Sequence, residues 1–177
     1  LSVVKRAGEL ERLREALEAA DVPPQGTVGV GHTRWSTHGA PTDENAHPHV
    51  DCRGRVAVVH NGIIENYQSL RDELEGRGHA FASDTDTEVV PHLVEEALAD
   101  AAEAPAAFRA ALARLEGSYA VAAVVAGEDG LLAARQDSPL VVGVADGACY
   151  VASDVPAFLE HTNRVVYVED GQVVRLT

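Results

Sequence analysis

At 177 residues and 46% hydrophobic content, the chain has apolar material for one sizeable core, and its length fits a single domain. Acidic side chains number 28 against 14 basic ones, and the formal charge of −14 repels phosphate backbones and anionic lipid, which argues against nucleic-acid or membrane-surface binding. No apolar run approaches the roughly 18–20 residues of a membrane-spanning helix, and the opening Leu1-Ser2-Val3-Val4-Lys5-Arg6 lacks a signal-peptide layout.

Residues 9–20 alternate charges with Leu10, Leu13, Ala16, Leu17 and Ala20 at helical spacing, the pattern of an amphipathic surface helix ended by Pro23-Pro24-Gln25-Gly26. The β-branched run 27–31 reads as a strand opening into His32-Thr33-Arg34-Trp35-Ser36-Thr37-His38-Gly39. A polar stretch, 40–54, follows; loops of that length in a compact domain are usually lids or binding loops, so closure over a ligand is expected of it. A second strand, 56–59, opens into His60-Asn61-Gly62-Ile63-Ile64-Glu65-Asn66, with a corner at Asn61-Gly62.

Asn66 is placed to cap a helix carrying Tyr67, Leu70 and Leu74, which Gly76 and Gly78 stop. Thr85-Asp86-Thr87-Glu88 has the form of a capping box ahead of Val89, Val90, Leu93, Val94, Ala97 and Leu98. Pro91 would cost about 3 kcal/mol inside that helix, so a kink or a late helix start is expected. An Ala-rich helix over 105–115 ends at Gly117. From Ser118 onward the pattern changes to short apolar strands, 119–126, 131–135, 140–144, 149–152, 165–168 and 172–176, interrupted by a small helix over 154–160. Asp129-Gly130, Asp146-Gly147 and Asp170-Gly171 read as hairpin corners, so the fold class is α+β with antiparallel sheets.

Taken singly, the polar residues have ordinary readings: Arg34 a surface ion pair, Trp35 a core anchor, Asn61-Gly62 a turn. Taken together, a planar bidentate cation, a side-chain amide and a glycine that lets a backbone N–H approach a ligand suit a molecule carrying carboxylate and carbonyl groups. Five of the 8 histidines, His32, His38, His47, His49 and His60, share one stretch, which makes a metal hydrolase the rival enzyme class. His47-Pro48-His49 is not a helical i,i+4 pair, and no Cys or carboxylate cluster completes a ligand set, so no metal is expected. Two cysteines, Cys52 and Cys149, are too few for a disulfide framework; with no activating base beside either, both read as structural thiols in a reducing cytoplasm.

The runs at 32–39 (HTRWSTHG), 45–49 (NAHPH), 60–67 (HNGIIENY) and 83–89 (SDTDTEV) resemble, in order and spacing, the glutaminase domain of the glutamine:fructose-6-phosphate aminotransferases, a branch of the class II amidotransferases. The resemblance extends over essentially the whole chain. It implies the four-layer αββα sandwich of N-terminal-nucleophile hydrolases, L-glutamine as ligand, no cofactor, a cytoplasmic location, C-terminal sugar-isomerase domains in the longer chain, and a homodimer at full length. By the same resemblance Arg34 pairs with the glutamine α-carboxylate and Asp86 with the α-ammonium, although a carboxylate in a helix's first turn is also favoured by the helix dipole. Asn61 and Gly62 form the oxyanion hole, Thr37 and His38 belong to a mobile glutamine loop, and Trp35 gates the exit of ammonia.

The family's nucleophile is an N-terminal cysteine whose own α-amine shuttles the proton. The first residue here is Leu1, and neither Cys52 nor Cys149 carries a free α-amine. Residues 1–177 are therefore expected to be an N-terminally truncated amidotransferase domain that forms a glutamine pocket without turning glutamine over, with an unpaired sheet edge where the family's first strand lies. The alternative is a non-catalytic glutamine-binding or regulatory domain. No phosphate-binding glycine loop is present, so the sugar phosphate is not expected to bind this domain tightly.

Overall fold

In the computed structural model the described residues are 1–19, 26–34, 38–100 and 103–177. After helix α1 (Leu10–Glu18), strands β1 (His49–Val50) and β2 (Val56–Ile64) pair antiparallel; helices α2 (Tyr67–Gly76), α3 (Val89–Asp100) and α4 (Ala104–Leu112) follow. The C-terminal half is strands β3 (Gly117–Val125), β4 (Leu131–Gln136), β5 (Val141–Ala145), β6 (Ala148–Ala152), β7 (Val165–Tyr167) and β8 (Val173–Leu176). They form two antiparallel sheets, one ordered β1-β2-β3-β4-β8 and the other β6-β5-β7. Among the described residues no helix is long and apolar enough to cross a membrane.

The period-two alternation of the strands divides the core between the two faces of the first sheet. Val58, Val121, Ala123 and Leu132 face the helices, where they meet Leu74, Leu93, Val94 and Phe108. Ala120, Ala122 and Ala133 face the other way, toward Leu140 and Val142 of the second sheet, and their small side chains let the sheets approach. Behind the second sheet, a Cβ on Gly143 would lie 2.7 Å from the Phe158 ring, so Phe158 packs flat on the sheet. A 3-10 turn, Val155–Ala157, leads into Phe158, and the Asp154 carboxylate caps it by accepting from the Val155 N–H at 2.7 Å. Helix, sheet, sheet and turn are thus stacked in the expected αββα order, the outer layer on the second sheet being, among the described residues, that turn.

The limits of β3 to β8 and of the longer helices match the expectations to within a few residues; β2 runs on from the expected 56–59 to Ile64, β1 is not among the expected strands, the small helix expected over 154–160 is only the 3-10 turn Val155–Ala157, and several local readings are corrected. Asn61-Gly62 is no corner: β2 runs through both, paired with Ala120 and Tyr119 of β3. Residues 27–31 form no strand, because a strand exists only through a hydrogen-bonded neighbour and this segment has none among the described residues. Asp170-Gly171 joins no hairpin; β7 pairs with β5 and β8 with β4, so the chain changes sheet there.

The polar stretch 40–54 is packed rather than lid-like. It contains β1, and Asn45, His49 and Asp51 are each only 3% exposed. Asp51 accepts from the Arg55 and Val56 N–H groups at 2.6 and 2.7 Å, closing the β1–β2 turn. Asn66 does not cap α2; its amide bridges to the start of β3, donating to Arg114 O and accepting from Glu116 N–H. The expected capping box does not form: Thr85 makes no side-chain cap, the Glu88 carboxylate accepts from the Ala82 and Ser83 N–H groups, and Asp86–Glu88 is a 3-10 turn; α3 starts late at Val89, which leaves Pro91 in the first turn where its missing N–H costs little.

Candidate active site

The site is built where β2 ends against the 3-10 turn. Asp86, 3% exposed, accepts from the Ile64 N–H at 2.9 Å and so fixes the turn to the strand. Gly62, one turn of the pleat earlier, has φ of 126°, and a Cβ there would lie 2.1 Å from the Ser118 carbonyl oxygen. Only glycine keeps β2 paired at that point. Over these elements crosses the segment carrying His32 and Arg34. Together His32, Arg34, His38, Asn61, Gly62 and Asp86 line one cavity of about 290 Å³.

The hydrogen bonds define how these groups are aimed. His32 Nδ1 accepts from the Arg34 N–H at 2.8 Å, so its other nitrogen, Nε2, carries the proton and donates to Asn61 Oδ1 at 2.8 Å. Burial pushes the His32 pKa down, in keeping with this neutral tautomer. With its oxygen held by His32, the Asn61 amide presents its N–H donors in the opposite direction. Arg34 sits at a positive φ of 44° and donates to the carbonyls of His38, Gly39 and Ala40 at 2.5, 3.0 and 2.9 Å, folding residues 38–40 back over the cavity. His38 Nδ1 lies 3.8 Å from Asp86 Oδ1.

Burial works against the charged form of His32, His47, His49 and His60. Burial lowers His60 to about 4, against the opposing pull of Asp86, and lowers His49 to about 3, helped by the charge of Lys5. His47 is pushed far below the usual histidine range by burial and by the neighbouring His32 and His49. His32, His47 and His49 meet through ring faces and edges, with centroids 4.1 and 4.8 Å apart, so their lone pairs do not point at a shared position. Among the described residues, the one set of converging ligand atoms excludes all five histidines of this stretch, which removes the observation that favoured a metal hydrolase here.

The expected residues Arg34, His38, Asn61, Gly62 and Asp86 are brought together, while Trp35 and Thr37 lie outside the described residues. His32, His60, Thr87 and Ser118 also line the cavity without having been assigned a role from sequence. His60 Nδ1 pairs with Thr87 Oγ1 at 2.9 Å, and its Nε2 is buried with no hydrogen-bond partner. The two histidines lead the two long motifs, and that position was the available signal; Ser118 reaches the cavity only through the β2–β3 register.

Beside the cavity runs a cleft of about 590 Å³, walled by residues 29–34, by Val59 to Asn61, and by Val151 and Ala152 of β6, the edge strand of the second sheet. Neither thiol lines either space. Cys149 is exposed on β6. The reading that no base lies beside either cysteine fails for Cys52, whose Sγ is 3.6 Å from Nδ1 of both His79 and His92. Those histidines are 27 and 40 positions away, out of reach of any local sequence pattern.

Residues 32–160 match the sequence profile of the glutamine amidotransferase domain. The chain is 51% identical over 177 residues to the glutamine--fructose-6-phosphate aminotransferase (isomerizing) of Methanothermobacter thermautotrophicus, covering 99% of this chain and 30% of that protein. It is 56% identical over 179 and 180 residues to the enzymes of the same name from Halobacterium salinarum and Thermus thermophilus, covering 28% and 29% of their lengths. The chain thus spans about a third or less of these relatives. Among solved structures, the glutamine phosphoribosylpyrophosphate amidotransferase of B. subtilis superposes with a TM-score of 0.67 at 28% identity, over 80% of this chain and 31% of that one.

Proposed function

We propose, starting from the fact that the chain belongs to the family of glutamine amidotransferase domains, that its cavity binds L-glutamine. The domain then serves as the glutamine-hydrolysing part of a glucosamine-6-phosphate synthase, releasing ammonia for conversion of fructose 6-phosphate to glucosamine 6-phosphate by further domains of a longer, homodimeric chain. One observation carries the reading: a guanidinium, a buried carboxylate and an amide-glycine pair line a single cavity of about 290 Å³.

In this reading Arg34 meets the α-carboxylate and Asp86 the α-ammonium, so the zwitterion is held at both charged ends. Its γ-carbonyl is directed at Asn61 and Gly62. Attack by a thiolate on that carbonyl makes a tetrahedral oxyanion, stabilised by the Asn61 side-chain amide and the Gly62 backbone N–H. Collapse expels ammonia and leaves a glutamyl thioester, which water cleaves to glutamate and the free thiol. His32 is a positioning residue: by holding Asn61 Oδ1 it aims the amide N–H toward the oxyanion. The thiol is that of an N-terminal cysteine whose α-amine takes the proton, borne on an extended segment along the cleft of about 590 Å³. Cys52, beside His79 and His92, is outside this chemistry.

Calorimetry tests the pocket: glutamine binds the chain beginning at Leu1, and Arg34→Ala abolishes binding. A turnover assay tests the nucleophile. The chain confirmed by mass to start at Leu1 hydrolyses no glutamine, while the same chain preceded by a cysteine-initiated extended segment does. Glutamine binding with no turnover in the cysteine-initiated chain would identify the non-catalytic alternative; absence of glutamine binding in both forms rejects the pocket assignment.

A further inference from the structure

At the other end of β2 four side chains from three separate segments turn their ligand atoms toward one point. Cys52 lies in the β1–β2 turn, His79 in the connection that follows α2, and His92 and Glu95 at i and i+3 on one face of α3. Cys52 Sγ is 3.6 Å from Nδ1 of His79 and 3.6 Å from Nδ1 of His92. The two Nδ1 atoms are 3.3 Å apart, and Glu95 Oε2 is 3.3 Å from the first and 3.7 Å from the second. The remaining edge, from sulfur to carboxylate, falls with the others inside 4.8 Å.

These are the edges of a coordination tetrahedron. Bonds of about 2.3 Å to sulfur and about 2.0–2.1 Å to nitrogen or oxygen, at tetrahedral angles, set S···N edges near 3.6 Å and N···N or N···O edges near 3.3 Å. A proton can bridge two of the four atoms, whereas a dication at the centre satisfies them all. We propose that Cys52, His79, His92 and Glu95 bind one zinc ion.

The surroundings fit that assignment. Coordination through Nδ1 requires the proton of each imidazole on Nε2, and each Nε2 faces a carboxylate: Glu96 at 3.4 Å from His79 and Glu88 at 3.8 Å from His92. The His92 side chain is 1% exposed, and its Nε2 stands 3.8 Å from Glu88, beyond hydrogen-bond length. The second oxygen of Glu95 is paired with Arg53 Nε at 3.3 Å, and Oε2 accepts from the Cys52 N–H at 3.2 Å, which orients the carboxylate and leaves the other lone pair of Oε2 for the ion. The Ala80 N–H, 3.4 Å from the sulfur, is placed to stabilise a thiolate. On binding, the Cys52 S–H proton passes to solvent, and thiolate plus carboxylate neutralise the dication. Cys52 is exposed and gives the ion an entry path. A mixed sulfur, nitrogen and oxygen set with tetrahedral edges favours zinc over magnesium or calcium, and four protein ligands leave no open position for a substrate. The ion therefore acts as a staple, joining the β1–β2 turn and the connection after α2 to α3.

The test uses the untagged chain and zinc chloride, because a histidine tag would bind the metal itself. Equilibrium dialysis with elemental analysis is expected to find one zinc per chain, and zinc is expected to raise the Tm. Cys52→Ser and His79→Ala, at the more accessible ligands, should each weaken binding by more than the roughly 10–100-fold that loss of an outer partner costs. A second readout needs no variant: zinc should protect Cys52 from alkylation while Cys149, on a different sheet, reacts as before. Equal alkylation of Cys52 with and without zinc, or zinc retained equally by the Cys52→Ser/His79→Ala double variant, overturns the proposal.

Discussion

Two histidine-rich clusters flank the same strand, β2, and they do different things with the same side chain. At the end near Gly62 the rings of His32, His47 and His49 meet tilted and edge-on, and the nitrogens of His32, His49 and His60 hydrogen-bond to separate partners: Arg34 N–H and Asn61, Ser83 and Thr85, and Thr87. At the end near Val56 two imidazoles, a thiol and a carboxylate direct their lone pairs to one point. The first arrangement leaves a cavity of about 290 Å³ between the rings, with room for a zwitterion larger than a water molecule. The second leaves room for an ion only. Direction of the lone pairs, not the number of histidines, separates a ligand pocket from a metal site.

Variants at one end should leave the other untouched, and the expected effects fall in a clear order. The largest is Asn61→Ala: in the cysteine-initiated chain it should lower kcat for glutamine hydrolysis by about 10²–10³, the usual cost of one oxyanion donor, with zinc affinity unchanged. Next is Asp86→Ala, which strands the buried Ile64 N–H and should cost about 1–3 kcal/mol in urea unfolding while removing glutamine binding. His32→Phe loses both the Nε2–H donor to Asn61 and the Nδ1 acceptor of the Arg34 N–H; kcat should fall by on the order of tenfold, about the 1.4 kcal/mol of one hydrogen bond, and KM should rise as Arg34 loses its support.

The gentlest perturbation is pH. His49 and His60 titrate at about 3 and about 4 in the folded chain against an ordinary value of 6.5, so between those limits the unfolded chain binds more protons. Their contribution is complete above pH 6.5 and lost as pH falls toward 3. Glu88 adds a second loss lower down. Burial alone would raise its pKa, but His92 and the Ala82 and Ser83 N–H groups hold the carboxyl at about 2, so this part is complete above 4.5 and lost as pH falls toward 2. Urea midpoints should therefore be flat from pH 8 to 7, decline from about 6.5, and steepen below 4.5, with the first decline reduced in His49→Gln.

Much of the fold was legible because the strands here are short apolar runs bounded by Asp-Gly and other turn residues, so that β3 to β6 could be bounded almost to the residue. The exceptions share a cause. Asn61-Gly62 carries the commonest hairpin dipeptide, yet the backbone of Ser118 on β3 lies where any side chain at 62 would go, and the strand continues. Asp170-Gly171 is an equally good turn, but which sheet the next strand joins depends on partners distant in sequence.

The α+β class, most strand limits, and the three motifs that contribute Arg34, Asn61 with Gly62, and Asp86 could be read from the sequence, because local propensity and contiguous residue runs carry that information. Only the tertiary structure decided that Asp86 would reach the end of β2, that His32 would hold the Asn61 oxygen, and that Cys52 would meet His79, His92 and Glu95. Each of these joins segments 22 to 43 residues apart. Hydrogen bonding and coordination depend on distance and direction in space, and for residues so separated in the chain those are properties of the packed fold.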